Sequence, residues 1–94
     1  MDQVLQTTDK GFSDVAAGLG VLAVLGTNGD TKYLWDKSKP VEVEAARTLF
    51  DKLVKKERYL AFRAIGKDGD KGDQVREFNP EDERLIFVPP MVGG

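Results

Sequence analysis

The chain has 94 residues, 40% hydrophobic and 32% charged, a usage that suits one globular domain and argues against global disorder. Its 14 basic residues against 16 acidic ones leave a net charge of −2, which argues against nucleic-acid binding driven by general attraction to phosphate. It contains neither cysteine nor histidine, which excludes disulfides, thiolate nucleophiles, zinc fingers and imidazole-dependent triads; no catalytic residue, cofactor or metal site is expected.

Residues 1–20 mix Thr, Asp, Gly and small apolar residues without clear periodicity and read as an N-terminal arm, with a short helix near Ser13 to Leu19. The domain proper is expected over 21–94. The uncharged run 15–29 carries four glycines and falls short of the roughly 20 apolar residues that a membrane span needs. With no basic start ahead of it, it does not read as a signal peptide, so a cytoplasmic protein is the expectation. Val21-Leu22-Ala23-Val24-Leu25 reads as a buried strand. Asn28-Gly29-Asp30 is a hairpin signal, because its turn positions need a positive φ, and Thr31 to Trp35 returns as the second strand.

Ser38 as N-cap and Pro40 in the first turn open a helix. Val41, Ala45, Ala46, Leu49, Phe50 and Leu53 recur at three- and four-residue spacing and form its apolar stripe. Glu42 and Glu44 near the start, with Lys55 and Lys56 near the end, complement the helix dipole. Tyr59 to Ile65 is a third strand, with Leu60, Phe62 and Ala64 on one face. The polar stretch 66–73 reads as a loop, Gln74 to Phe78 as a fourth strand, and Asn79 to Glu83 as one helical turn. Leu85 to Val88 is a final strand, apolar on both faces and therefore central, and Pro89-Pro90 ends it.

Three constellations read as structural. Asp68, Asp70 and Asp73 do not make an EF-hand: counted from Asp68, the sixth position, where glycine is required, is Asp73. Trp35, Tyr33, Phe62 and Phe87 lie at strand positions and read as core. Lys52, Lys55, Lys56 and Arg58 read as a solvated helix end, with an acidic partner as the sharper alternative. The element order predicts an α+β domain, a mixed sheet of ββαββ-turn-β order with one helix packed across it.

The tail Pro89-Pro90-Met91-Val92-Gly93-Gly94 carries the functional signal. Two glycines without Cβ can thread a narrow enzyme channel, and two prolines hold the exit from the sheet extended. The element order and this tail together resemble the β-grasp fold of ubiquitin-like proteins. The Pro-Pro-x-x-Gly-Gly end is similar to that of sulfur carriers such as the small subunit of molybdopterin synthase and the thiamine sulfur carrier. The resemblance implies a non-enzymatic protein whose terminal glycine is adenylated by an ATP-dependent activating enzyme. That glycine then becomes a thiocarboxylate or is joined to a lysine. Carried over, Gly94 is the reactive position, Gly93 gives access, and Pro89 and Pro90 support the tail. The stretch from Trp35 through the helix and Ala61-Phe62-Arg63 to the tail is also similar to small bacterial and phage proteins. The small-residue N-terminal arm, for which a lone domain has little use, leaves a second expectation: a structural subunit of a phage particle or other large assembly, with neighbouring subunits as partners and the virion as its place. On either reading the partners are proteins, with no role for nucleic acid or membrane.

Overall fold

The computed structural model describes residues 5–8, 18–26, 29–65 and 70–90, with the backbone alone for Asp70. The protein is a small mixed α+β domain. Its strands are β1 (Gln6–Thr8), β2 (Leu19–Gly26), β3 (Gly29–Asp36), β4 (Leu60–Ile65), β5 (Asp70–Val75) and β6 (Arg84–Val88). Between β3 and β4 runs α1 (Pro40–Asp51), continued by a π-helical stretch, Lys52–Lys56. All six strands join one sheet in the order β1-β3-β2-β6-β4-β5. β2 and β6 pair in parallel and every other neighbouring pair is antiparallel.

Strand alternation divides the apolar residues between two faces. Leu22, Trp35, Ala61, Val75, Leu85 and Phe87 meet Ala46, Phe50 and Leu53 of the helix in the main core, which also takes in Leu5 and Phe78. Val21, Ala23 and Ile86 form a second cluster on the opposite face, with Leu25, Leu34, Ala64 and Val88 packed around it. Aromatic geometry orders the main core. Phe50 stands edge-on to Phe78 and Phe87 at 5.9 and 5.6 Å, Trp35 lies 5.5 Å from Phe78, and the Arg47 guanidinium covers Phe78 at 5.4 Å. Each of the buried aromatic side chains contributes about 1.5–3 kcal/mol.

The β2–β3 hairpin is in full register from Leu19↔Asp36 to Gly26↔Gly29. Gly29 has φ of +113°, a conformation that side-chain-bearing residues rarely adopt. The connecting residues 27 and 28 lie outside the described residues. Both strands are longer than the sequence predicts, since β2 begins at Leu19 and β3 runs from Gly29 to Asp36. The expected helix at 13–19 falls mainly outside the described residues, and Leu19 is strand.

Helix α1 starts where Pro40 predicts, but Ser38 is not its cap. Lys39 occupies that position with no side-chain cap hydrogen bond. The organising acceptor lies earlier: the Ser38 amide and hydroxyl donate to Asp36 Oδ1 at 2.9 and 2.7 Å, and the Asp36 amide donates to Glu42 Oε1 at 3.0 Å. The apolar stripe is rotated slightly from the expected one. Val41 is 67% exposed, while Val43 and Val54 pack against the core. At the far end Glu57 donates to the Lys52 carbonyl at 3.0 Å and Tyr59 to the Leu53 carbonyl at 2.8 Å. Arg58 supplies the left-handed residue that reverses the chain, with φ of 63°.

The largest difference from sequence expectation is β5. It spans Asp70–Val75, so the polar stretch Asp70-Lys71-Gly72-Asp73 is strand, whereas Arg76 and Glu77 lie beyond it and Phe78 turns into the core. A sheet edge accommodates such a sequence, since one flank is solvated and charges discourage further pairing. Gly72 and Asp73 together oppose Arg63 in a bulge, as the register passes from Phe62↔Gln74 to Ala64↔Lys71. Asn79 to Asp82 is a single turn closed by the Asp82 amide on the Asn79 carbonyl at 2.9 Å, with Glu81 donating to Asn79 Oδ1.

β1 lies within the stretch read as an arm. It pairs with the middle of β3 through Gln6↔Leu34, Thr7↔Tyr33 and Thr8↔Lys32. Leu5, 6% exposed, is the one side chain of 5–8 that is fully buried. One such leucine contributes about 1.5–3 kcal/mol.

Candidate functional site

The sequence singles out the end of the last strand, and the sheet gives that end a defined root. β6 lies between β2 and β4, in register from Val21↔Arg84 to Val24↔Phe87 on one side and from Leu60↔Val88 to Arg63↔Leu85 on the other. Leu85 and Phe87 face the helix, Ile86 faces the second cluster, and all three are buried. The strand is thus locked on both flanks and both faces up to Val88. Pro89 and Pro90 are exposed and outside the ladder, as residues without an amide donor must be. Gly93 and Gly94 lie outside the described residues, together with Met91 and Val92.

Beside this root is exposed apolar surface. Leu60, opposite Val88, is 46% exposed, and the pair lies on the face away from the helix together with half-buried Leu25. The site therefore offers a rigid strand end, a proline exit and an adjacent apolar contact. It contains no side chain suited to acid–base or nucleophilic work.

A second constellation was not anticipated from sequence. Arg63 Nε donates to Asp82 Oδ1 at 2.7 Å, and its Nη1 lies 3.6 Å from Asp73. The Asp82 side chain is 10% exposed, and its Oδ2 is buried without a hydrogen-bond partner. The Asp82 carboxylate holds the Arg63 guanidinium above its ordinary range. An open groove of about 530 Å³, lined by Gln74, Arg76, Phe78, Asn79 and the pair itself, lies alongside. Arginine so paired carries a fixed charge and does not act as a general base. The signal for Asp82 was present in the acidic turn, but its partner comes from a strand nearly twenty residues earlier, which local patterning does not reveal.

The remaining candidates resolve individually. Trp35 and Phe87 are fully buried, and Tyr33 and Phe62 are half-buried. Lys55 pairs with Asp51 and Glu77 at 3.7 and 3.4 Å, and Lys52 with Glu57 at 3.9 Å, all in exposed positions. Among the described residues no group of acidic side chains could hold a metal ion, and no helix is long and apolar enough to cross a membrane. Comparison with protein-family models, curated proteins and solved structures finds no match.

Proposed function

We propose that this chain is a β-grasp, ubiquitin-like interaction domain that works as a sulfur carrier or protein modifier activated at Gly94. One observation carries the reading: the last strand is central, parallel to the first strand of the hairpin, and leaves the sheet through two exposed prolines. A strand so fixed keeps the root of the tail at one place. Pro89 and Pro90 stiffen the exit, and Gly93-Gly94 adds no side chain where an enzyme channel closes. The β-grasp assignment draws on the same order: hairpin, helix, second antiparallel pair, then a returning strand beside the first. Leu60, Val88 and Leu25 at the root supply the apolar contact by which an activating enzyme would grip the domain before handling its tail.

The chemistry then runs outside the domain. The partner joins the Gly94 carboxylate to the AMP moiety of ATP with release of pyrophosphate. A sulfide donor or a lysine amine displaces AMP, giving a thiocarboxylate or an isopeptide. Intact-mass measurement of protein purified from its native host, with the cognate activating enzyme present, tests this. A mass matching a thiocarboxylate or a conjugate is expected, and free carboxylate alone overturns the reading.

The reading as a subunit of a phage particle or other assembly rested on an arm with no use inside a lone domain. Leu5 in the core and Gln6–Thr8 in the sheet give part of that arm an internal use. Deleting the arm consequently disturbs the fold on either reading, and truncation at Gly93-Gly94 is the cleaner discriminator.

A further inference from the structure

We propose that the groove beside Arg63 and Asp82 is a docking site for a single carboxylate on a partner protein, an exposed glutamate or aspartate side chain. The groove, about 530 Å³, is lined by both members of the pair and by residues 74–80 at and beyond the end of β5. Its lining carboxylates are already matched: Asp82 gives Oδ1 to Arg63 Nε at 2.7 Å, and Glu77 meets Lys55 at 3.4 Å. Arg76 is exposed and makes no ion pair among the described residues, so the charge left over in the groove is positive. A cation finds no free acceptor on Asp82, whose other oxygen is sealed from solvent.

Arg63 is presented to the groove as well as neutralised. Asp82 holds it through Nε, the inner nitrogen, and Asp73 comes no nearer to Nη1 than 3.6 Å. An end-on, bidentate pair would occupy both terminal amino groups, whereas this contact leaves terminal N–H donors for an outside acceptor. The Arg63 side chain is 46% exposed, so those donors are within reach. Burying the Asp82 carboxylate with one oxygen unpaired is a costly way to make a surface tie; what it secures is the direction of the guanidinium. The planar fork of arginine matches a carboxylate. A phosphate dianion suits the groove less, because Asp82 and Glu77 line it and Asp73 stands beside Arg63. The Gln74 and Asn79 side chains carry amides that suit the peptide backbone on either side of an acidic residue.

The test titrates a capped tripeptide, alanine-glutamate-alanine, into isotope-labelled protein and follows backbone amides and arginine Nε–H signals. Expected are saturable shifts at the Gln74, Arg76 and Phe78 amides and at Arg63 Nε–H, with a Kd on the order of 1 mM. The same peptide with glutamine for glutamate should leave them unmoved. Arg76→Gln, at an exposed position, should weaken binding by about fivefold or more, and Arg63→Lys, which keeps the charge and loses the fork, should do likewise. No saturable shift at these residues up to about 10 mM peptide overturns the proposal. Equal binding of the glutamine peptide overturns it too, as does undiminished affinity in either variant. Inorganic phosphate binding the same residues more tightly than the glutamate peptide overturns the choice of a carboxylate.

Discussion

Gly20 faces Trp35 directly across the β2–β3 ladder, and the edge of the indole lies where a Cβ on Gly20 would stand. The ring is fully buried in the main core, 5.5 Å from Phe78, so it has little room to withdraw. Gly20→Ala should therefore destabilise the fold by about 3 kcal/mol, read as a lowered denaturant midpoint with unchanged slope. A variant with wild-type stability would refute this contact. A second residue-scale consequence is electrostatic. The Ser38 hydroxyl and amide hold the Asp36 carboxyl below its ordinary 3.8, and Lys32 does the same to Asp30 through a 2.7 Å bond. A carboxyl depressed in the folded state contributes stability above its unfolded value and loses it as pH falls through the folded one. Asp36→Asn keeps an acceptor for Ser38 but does not titrate. Its thermal midpoint should fall less than wild type between about pH 5 and about pH 2; an identical pH profile would contradict the assignment.

At the scale of elements, the helix end gives the clearest prediction. Arg58 holds a left-handed conformation with φ of 63° that glycine adopts without steric cost. Arg58→Gly should raise stability by about 0.5–1 kcal/mol, less what glycine's looser unfolded chain takes back. A lowered melting temperature would show that the arginine side chain matters more than its backbone. The elements differ in how plainly the sequence announces them, and the reason is burial. α1 and β6 were legible because their apolar residues repeat with the period of the element that buries them. β5 was not, because an edge strand needs no apolar alternation, and Phe78 mimicked a continuing strand while packing from a loop. β1 escaped for a related reason: a three-residue strand anchored by one leucine has no period to detect. Ser38 was preferred as cap on residue type alone, whereas Asp36, two residues earlier, has the carboxylate that reaches both donors. The root of the candidate site was legible through Pro89-Pro90, but the Arg63–Asp82 pair was not, since a bulge and a turn distant in sequence bring it together.

For the whole molecule, the central parallel pair is the constraint that matters. β2 and β6 lie far apart in sequence yet form the middle of the sheet, and only the last strand joins β1-β3-β2 to β4-β5. Met91 to Gly94 follow Pro90 and lie outside the described residues. Deleting Gly93-Gly94 should leave the unfolding free energy within about 0.5 kcal/mol of wild type while abolishing adenylation by the cognate enzyme. A truncated protein that is still activated would remove the tail from the mechanism. The buried indole has a separate, optical consequence. Trp35 is the chain's single tryptophan, and its Nε1 has no hydrogen-bond partner in an apolar setting. An indole kept from water emits at short wavelength, so the native protein should fluoresce well to the blue of free tryptophan. Because the ring lies in the core cluster that helix and sheet share, the red shift on unfolding reports the loss of that core.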